Sequence, residues 1–197
     1  MLGILRERYQ KAVAPVGGTL AKTGISPNFI TFLSLLFAMV SGYAYSMHFP
    51  LGGVFMIILT GILDMLDGAV ARAAGKITKF GATFDHVLDR YAELFIVFGM
   101  VFGGYISWVL GFFALFGMLM ASFTRAKAES VGGLASVTVG IAERQEKLLI
   151  LILGSFLVWI FPFSEVLNYA AILVGVLSHI TVAQRLHFTW IQTRGYK

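Results

Sequence analysis

Asp64 and Asp67 stand three residues apart, and Asp85 and Asp89 four apart, inside stretches that are otherwise almost wholly apolar. On a helix either spacing puts both carboxylates on one face. A carboxylate at the centre of a membrane-spanning helix costs roughly 3 kcal/mol on insertion scales. Four of them need compensation, by ion pairs or by a bound cation. The ligand atoms on offer are oxygens, because the chain has no cysteine and no histidine pair at ligand spacing. His86 follows Asp85 directly but projects about 100° away around a helix. Hard divalent cations suit such a set, Mg²⁺ or Mn²⁺ first and Ca²⁺ after them. Four carboxylates are enough to bridge two ions, and two-ion sites polarise phosphoryl oxygens and stabilise attacking and leaving oxygens.

Other residues around the acids point the same way. Gly68 follows Asp67, and Gly81 lies one turn before Asp85. Missing side chains there let a phosphate or a flat base approach the backbone. Arg72, one turn beyond Gly68, offers a guanidinium fork to a phosphate. Two bland readings compete. The acids could pair with Arg72, Lys76, Lys79 or Arg90, or they could line the path of a cation-coupled transporter. A transporter needs polar residues through the outer half of its helices, and here the outer turns are apolar.

The elements that hold these acids must lie in lipid. The chain has 197 residues, 58% hydrophobic and only 13% charged. That leaves too little polar surface for a soluble core of this size. A spanning helix needs about 20 mostly apolar residues. Six stretches qualify: 28–47, 51–73, 81–102, 105–124, 146–162 and 166–186. The second and third are joined by a short basic turn, so they are antiparallel neighbours and both acidic pairs come to similar depth. The fold class expected is an all-α integral membrane protein, a single domain over 1–197. Residues 1–22 read as an amphipathic surface helix, with Leu2, Ile4, Leu5, Tyr9, Ala12 and Val13 as its lipid face. No cleavable signal peptide is evident. Every cluster of the 15 Lys and Arg falls on one side of a six-span trace. Positive residues stay in the cytoplasm, so both termini and the acidic site are expected there, in the cell membrane. The loop 128–142 is rich in Gly, Ser and Val and reads either as a flap or as a plain surface loop.

Written out, the acidic run is Asp64-x2-Asp67-Gly68-x2-Ala71-Arg72-x8-Gly81-x3-Asp85-x3-Asp89. It resembles the CDP-alcohol phosphotransferase signature at every specified position. Ser26-Pro27-Asn28-Phe29-Ile30-Thr31 resembles that family's entry to its first span, and the six-span plan is similar too. The resemblance implies that Asp64, Asp67, Asp85 and Asp89 hold two divalent ions. It implies that Gly68, Ala71, Arg72 and Gly81 line the CDP-lipid site, with Asn28, Phe29, Ile30, Thr31 and Thr78 as further members. It also implies that Asp89 deprotonates the acceptor hydroxyl, that CMP leaves, and that the protein is a homodimer. No nucleic-acid partner is expected.

The acceptor must be read outside the signature. Arg125, Lys127, Arg144, Lys147 and Arg185 cluster at the expected cytoplasmic ends of the last three spans. Any one of them could be a positive-inside flank. Together they suit an acceptor carrying its own phosphate, with Arg as the bidentate partner. The runs around them resemble the subgroup that makes phosphatidylinositol phosphate in bacteria, and its archaeal ether-lipid counterpart. That likeness implies an inositol phosphate acceptor gripped by Arg125, Lys127, Arg144 and Arg185, and a CDP-diacylglycerol or CDP-archaeol donor. Lys147 stands where an Arg is expected. Glycerol 3-phosphate is the nearest competing acceptor.

Overall fold

Helix boundaries fall where the sequence carries its breakers. In the computed structural model, which describes residues 3–162 and 165–194 with side chains from Val13 onward, α1 spans Gly3–Lys22, α2 Pro27–Ser46, α3 Pro50–Ala73, α4 Lys79–Phe102, α5 Trp108–Ser130, α6 Arg144–Ile160 and α7 Val166–Thr193. Pro27 and Pro50 open α2 and α3, at the position where a missing N–H costs nothing. After α3, Gly75 adopts φ +63°. Its N–H reaches the Arg72 carbonyl at 3.3 Å, and the Lys76 N–H reaches Ala71 at 2.9 Å. That pair of bonds closes the helix end in a left-handed turn that glycine adopts without strain.

Three expected boundaries move by three residues or more. The fourth apolar stretch becomes helical at Trp108 rather than 105, because the Ser107 hydroxyl accepts the Leu110 N–H and caps it. At its other end α5 continues to Ser130, which puts Arg125 and Lys127 on a helix and shortens the loop that follows. The sixth stretch extends past 186 to Thr193. The lipid face expected on α1 lies outside the described side chains, apart from Val13, which is half-buried.

The helices are long and apolar, as a membrane protein requires. α2, α3, α5 and α7 have the length and composition to cross a bilayer. α4 has 24 residues, but Asp85, Asp89, Arg90 and Glu93 fall in its first half and centre. α6 is shorter, at 17 residues.

The chain forms two compact units, Met1–Ala44 with Gly52–Ile96, and Tyr45–Leu51 with Val97–Lys197. In the first, hydroxyls tie α2 to α3. Ser34 donates to the Thr60 carbonyl at 3.0 Å, and Ser41 donates to the Gly53 carbonyl at 2.9 Å. Small polar residues serve this purpose in lipid, where apolar burial drives no association between helices. α1 meets α3 at Gly17, where an added Cβ would stand 2.6 Å from the Ala69 Cβ. In the second unit α7 packs against α5 and, less extensively, against α6. Glycines let the backbones approach: a Cβ on Gly175 would fall 2.4 Å from the Phe113 ring, and one on Gly154 3.1 Å from Leu167 and Ala170. Tyr45 donates to Ser155 at 2.8 Å within this unit.

Candidate active site and metal centre

Asp67 is the buried member of the acidic set, 6% exposed. Thr31 on α2 donates its hydroxyl to Asp67 Oδ2 at 2.7 Å. Asp64, one turn earlier on α3, and Asp85 on α4 both lie within electrostatic reach of the Asp67 carboxylate. Asp64, Asp67 and Asp85 therefore converge from two helices. Like charges gathered so closely repel, and a divalent cation is the compensation that fits an all-carboxylate set.

On α4, Asp85, His86 and Asp89 form a tighter group. One ligand atom from each lies within 4.8 Å of the others. His86 Nδ1 stands 3.8 Å from Asp85 Oδ2. Asp64 and Asp67 are not part of this close group, and Asp67 is held instead by Thr31. Arg90 stands behind Asp89, with Nη2 3.8 Å from Asp89 Oδ2 and Nη1 2.7 Å from Glu93 Oε2. Glu93 is 2% exposed. The pairing expected as an alternative role for the acids is thus seen at Asp89, where Arg90 divides itself between two carboxylates.

The residues expected around the nucleotide separate into groups. Thr78 precedes α4, and its hydroxyl accepts the Gly81 N–H at 2.9 Å, which makes it a helix cap. A Cβ on Gly81 would press on Thr78 Oγ1 at 3.0 Å and on Asn28 Oδ1 at 3.2 Å. Asn28, Thr78 and Gly81 are therefore neighbours. Gly68 lies under the Arg72 guanidinium, with Nη1 3.2 Å from where its Cβ would be. Ala71 is half-buried on the same helix, while Arg72 is exposed. Ile30 is buried and Phe29 is exposed, so these two offer contacts of a different kind from Asn28.

The basic residues of the second unit have distinct tasks. Arg125 Nε pairs with Glu129 Oε1 at 3.0 Å. Glu129 Oε1 also accepts the Val137 N–H at 2.9 Å. Arg185 is buried; its Nε donates to the Val139 carbonyl at 2.9 Å and its Nη1 to the Ala121 carbonyl at 2.5 Å. So the segment 131–143 is tied down at Val137 and Val139 by two of the four residues expected to grip the acceptor, one of them acting through Glu129. Two donors of Arg185 are already engaged by backbone. Lys127 is exposed beside the Phe123 ring, and Arg144 opens α6. Lys147 is 4% exposed on α6.

Sequence reasoning set His86 aside for its direction on the helix and passed over Glu93 and Glu129. Glu93 and Glu129 carry a readable signal, an acid three or four residues after an arginine on one helix. His86 carries none, because its approach to Asp85 depends on side-chain rotation.

Comparison with known proteins agrees with this geometry. Residues 24–180 match the family described as CDP-alcohol phosphatidyltransferase. The archaetidylinositol phosphate synthase of Pyrococcus horikoshii is 33% identical over 187 residues, 95% of each chain. The phosphatidylinositol phosphate synthase of Mycobacteroides abscessus is 32% identical, over 95% of this chain and 88% of that one. Among solved structures, the Mycobacterium tuberculosis phosphatidylinositol phosphate synthase with CDP-DAG bound superposes with a TM-score of 0.79 at 27% identity, over 91% of this chain and 94% of that one. The same enzyme in complex with manganese and citrate superposes with a TM-score of 0.78 at 28% identity, over 90% of this chain and 88% of that one. A match along most of its length, and relatives that share nearly all of it, agree with the acids converging from α3 and α4: this chain belongs to the CDP-alcohol phosphatidyltransferase family.

Proposed function

We propose that this protein transfers the lipid phosphate group of a CDP-activated lipid to an inositol phosphate, releasing CMP. The observation that carries this reading is the convergence of Asp64, Asp67 and Asp85 from two helices, with Thr31 holding Asp67. The names of the relatives, synthases of archaetidylinositol phosphate and phosphatidylinositol phosphate, support the acceptor.

The residues divide the work. Divalent cations, Mg²⁺ or Mn²⁺ and two in number, when held by Asp64, Asp67, Asp85 and Asp89, supply positive charge to the phosphoryl oxygens. Gly68 and Gly81 leave the backbone open to the nucleotide, with Asn28, Thr78 and Ala71 around them. Phe29 and Ile30 contribute apolar contact. Arg72 offsets charge that develops on the pyrophosphate. Asp89 takes the proton of the acceptor hydroxyl, whose oxygen bonds to the lipid-side phosphorus. The phosphoanhydride bond breaks and its electron pair leaves with CMP. Arg125, Lys127, Arg144 and Arg185 hold the acceptor's own phosphate. In the same reading 1–197 act as a single domain. α2 to α7 all cross the cell membrane, α1 lies on its surface, and the site and both termini face the cytoplasm. The protein works as a homodimer.

The test is incubation of the purified protein with CDP-diacylglycerol or CDP-archaeol, Mg²⁺ and one of four acceptors: inositol 1-phosphate, glycerol 3-phosphate, inositol or serine. CMP release and a new phospholipid by mass spectrometry are expected with inositol 1-phosphate, and neither with chelator or in Asp89→Asn. Product with glycerol 3-phosphate alone would keep the chemistry and overturn the acceptor. No CMP from any acceptor would overturn both.

A further inference from the structure

Near the end of α5, Arg125 Nε donates to Glu129 Oε1 at 3.0 Å. Helix stability does not call for this pair. The acid follows the base, which is the weaker order for residues four apart. Glu129 also stands next to Ser130, the last residue of α5, where a carboxylate opposes the helix dipole. Contacts beyond the helix account for its place. After α5 the chain turns at Gly133, which adopts φ +66°. The same Oε1 then accepts the Val137 N–H at 2.9 Å. Val137 is fully buried. Two residues on, the Val139 carbonyl accepts Arg185 Nε at 2.9 Å. One carboxylate oxygen thus ties Arg125 to a segment that Arg185 also holds.

The bond to Glu129 is made at Nε, on the side of the guanidinium. That leaves the terminal fork, Nη1 and Nη2, to meet an anion, and the Arg125 side chain is 42% exposed. We infer that Glu129 is a positioning residue for acceptor binding: it fixes Arg125 by Nε so that the terminal fork is ready for the acceptor's phosphate. The inference rests on the proposed reading that Arg125 grips that phosphate. An unheld arginine must be ordered when the anion binds, and Glu129 orders it beforehand. Charge alone gives the opposite sign. A carboxylate near an anion site repels phosphate, so if Glu129 acted only by its charge, removing it would tighten acceptor binding.

The test measures CMP release by the full chain in detergent micelles, with CDP-activated lipid and Mg²⁺ fixed and inositol 1-phosphate varied. In Glu129→Ala the KM for inositol 1-phosphate is expected to rise about three- to tenfold, the size set by ordering one long side chain on binding, with kcat unchanged. Glu129→Gln keeps the oxygen and loses the charge, and it restores the wild-type KM. Arg125→Ala raises KM by itself, and adding Glu129→Ala raises it no further, because residues that act through one another are not additive. Helix content by circular dichroism stays at the wild-type value in each variant. An unchanged or lower KM in Glu129→Ala, with KM raised in Arg125→Ala, overturns the role of Glu129 and leaves Arg125 in the acceptor site. Equal increases in both backgrounds assign the effect to the tether at Val137 and overturn the role too, as does a Glu129→Gln no better than Glu129→Ala. An Arg125→Ala with wild-type KM removes Arg125 from the acceptor site and this inference with it. No CMP from the wild type with inositol 1-phosphate overturns the proposed acceptor itself.

Discussion

At the scale of single residues, the acids are held by neighbours that sequence spacing does not single out. Thr31 donates to Asp67 at 2.7 Å across α2 and α3. A hydrogen bond to a charged group contributes about 1.5–3 kcal/mol. Thr31→Val is therefore expected to lower CMP release by roughly tenfold or more, with helix content by circular dichroism unchanged. Thr31→Ser restores most of it, because the hydroxyl is what matters. Arg90 holds a further acid, at a spacing that is legible on its own helix. Its Nη1 stands 2.7 Å from the buried Glu93. Arg90→Ala takes a guanidinium away from a buried carboxylate, a loss that costs roughly 3–5 kcal/mol. A large fall in thermal midpoint is the expected outcome, and Arg90→Met/Glu93→Gln recovers much of it. A midpoint unchanged in Arg90→Ala would show that Glu93 does not depend on this pair.

At the scale of elements, close approach and tethering decide the arrangement. A Cβ on Gly175 would lie 2.4 Å from the Phe113 ring, so Gly175→Val forces α7 away from α5. Overpacking of this kind costs about 1–3 kcal/mol. The expected readout is a lower thermal midpoint, whereas the same change at Gly61, where nothing stands within 4 Å of an added Cβ, is tolerated. The segment 131–143 is irregular but not loose. Val137 is fully buried, and its N–H is held by Glu129. Glu129→Ala removes that acceptor, worth about 1 kcal/mol. Hydrogen exchange at the Val137 amide should rise about fivefold, and a protection unchanged from wild type would show that the tether does not matter. A flap that opens freely is therefore not the resting arrangement of this segment.

At the scale of the whole molecule, the membrane plan has a direct test, because the native chain has no cysteine. Single cysteines at Lys76, Val131 and Phe161, all exposed, can be labelled from one side of the membrane in intact cells and vesicles. The six-span plan expects Lys76→Cys and Val131→Cys to react from the cytoplasmic side and Phe161→Cys from the opposite side. A four-span plan, in which only α2, α3, α5 and α7 cross, puts Val131→Cys on the outside instead. Labelling of Val131→Cys from outside would overturn the six-span reading.

The sequence by itself determined which acids of this protein stand out. Asp64, Asp67, Asp85 and Asp89 are legible because carboxylates in apolar helices are costly, and because spacings of three and four define one helical face. The helices were legible for the same reason, since apolar length and proline or glycine breakers act locally. What only the tertiary structure decided depends on contacts between residues far apart in the chain. Thr31 reads from sequence as a member of the nucleotide site, but its hydroxyl is directed to Asp67 on another helix. Arg185 reads as a cation for an anion, and only the fold shows that two of its guanidinium donors are also anchored by the carbonyls of Ala121 and Val139. A buried guanidinium takes whatever acceptors the fold brings to it, and spacing along one helix carries no information about those acceptors.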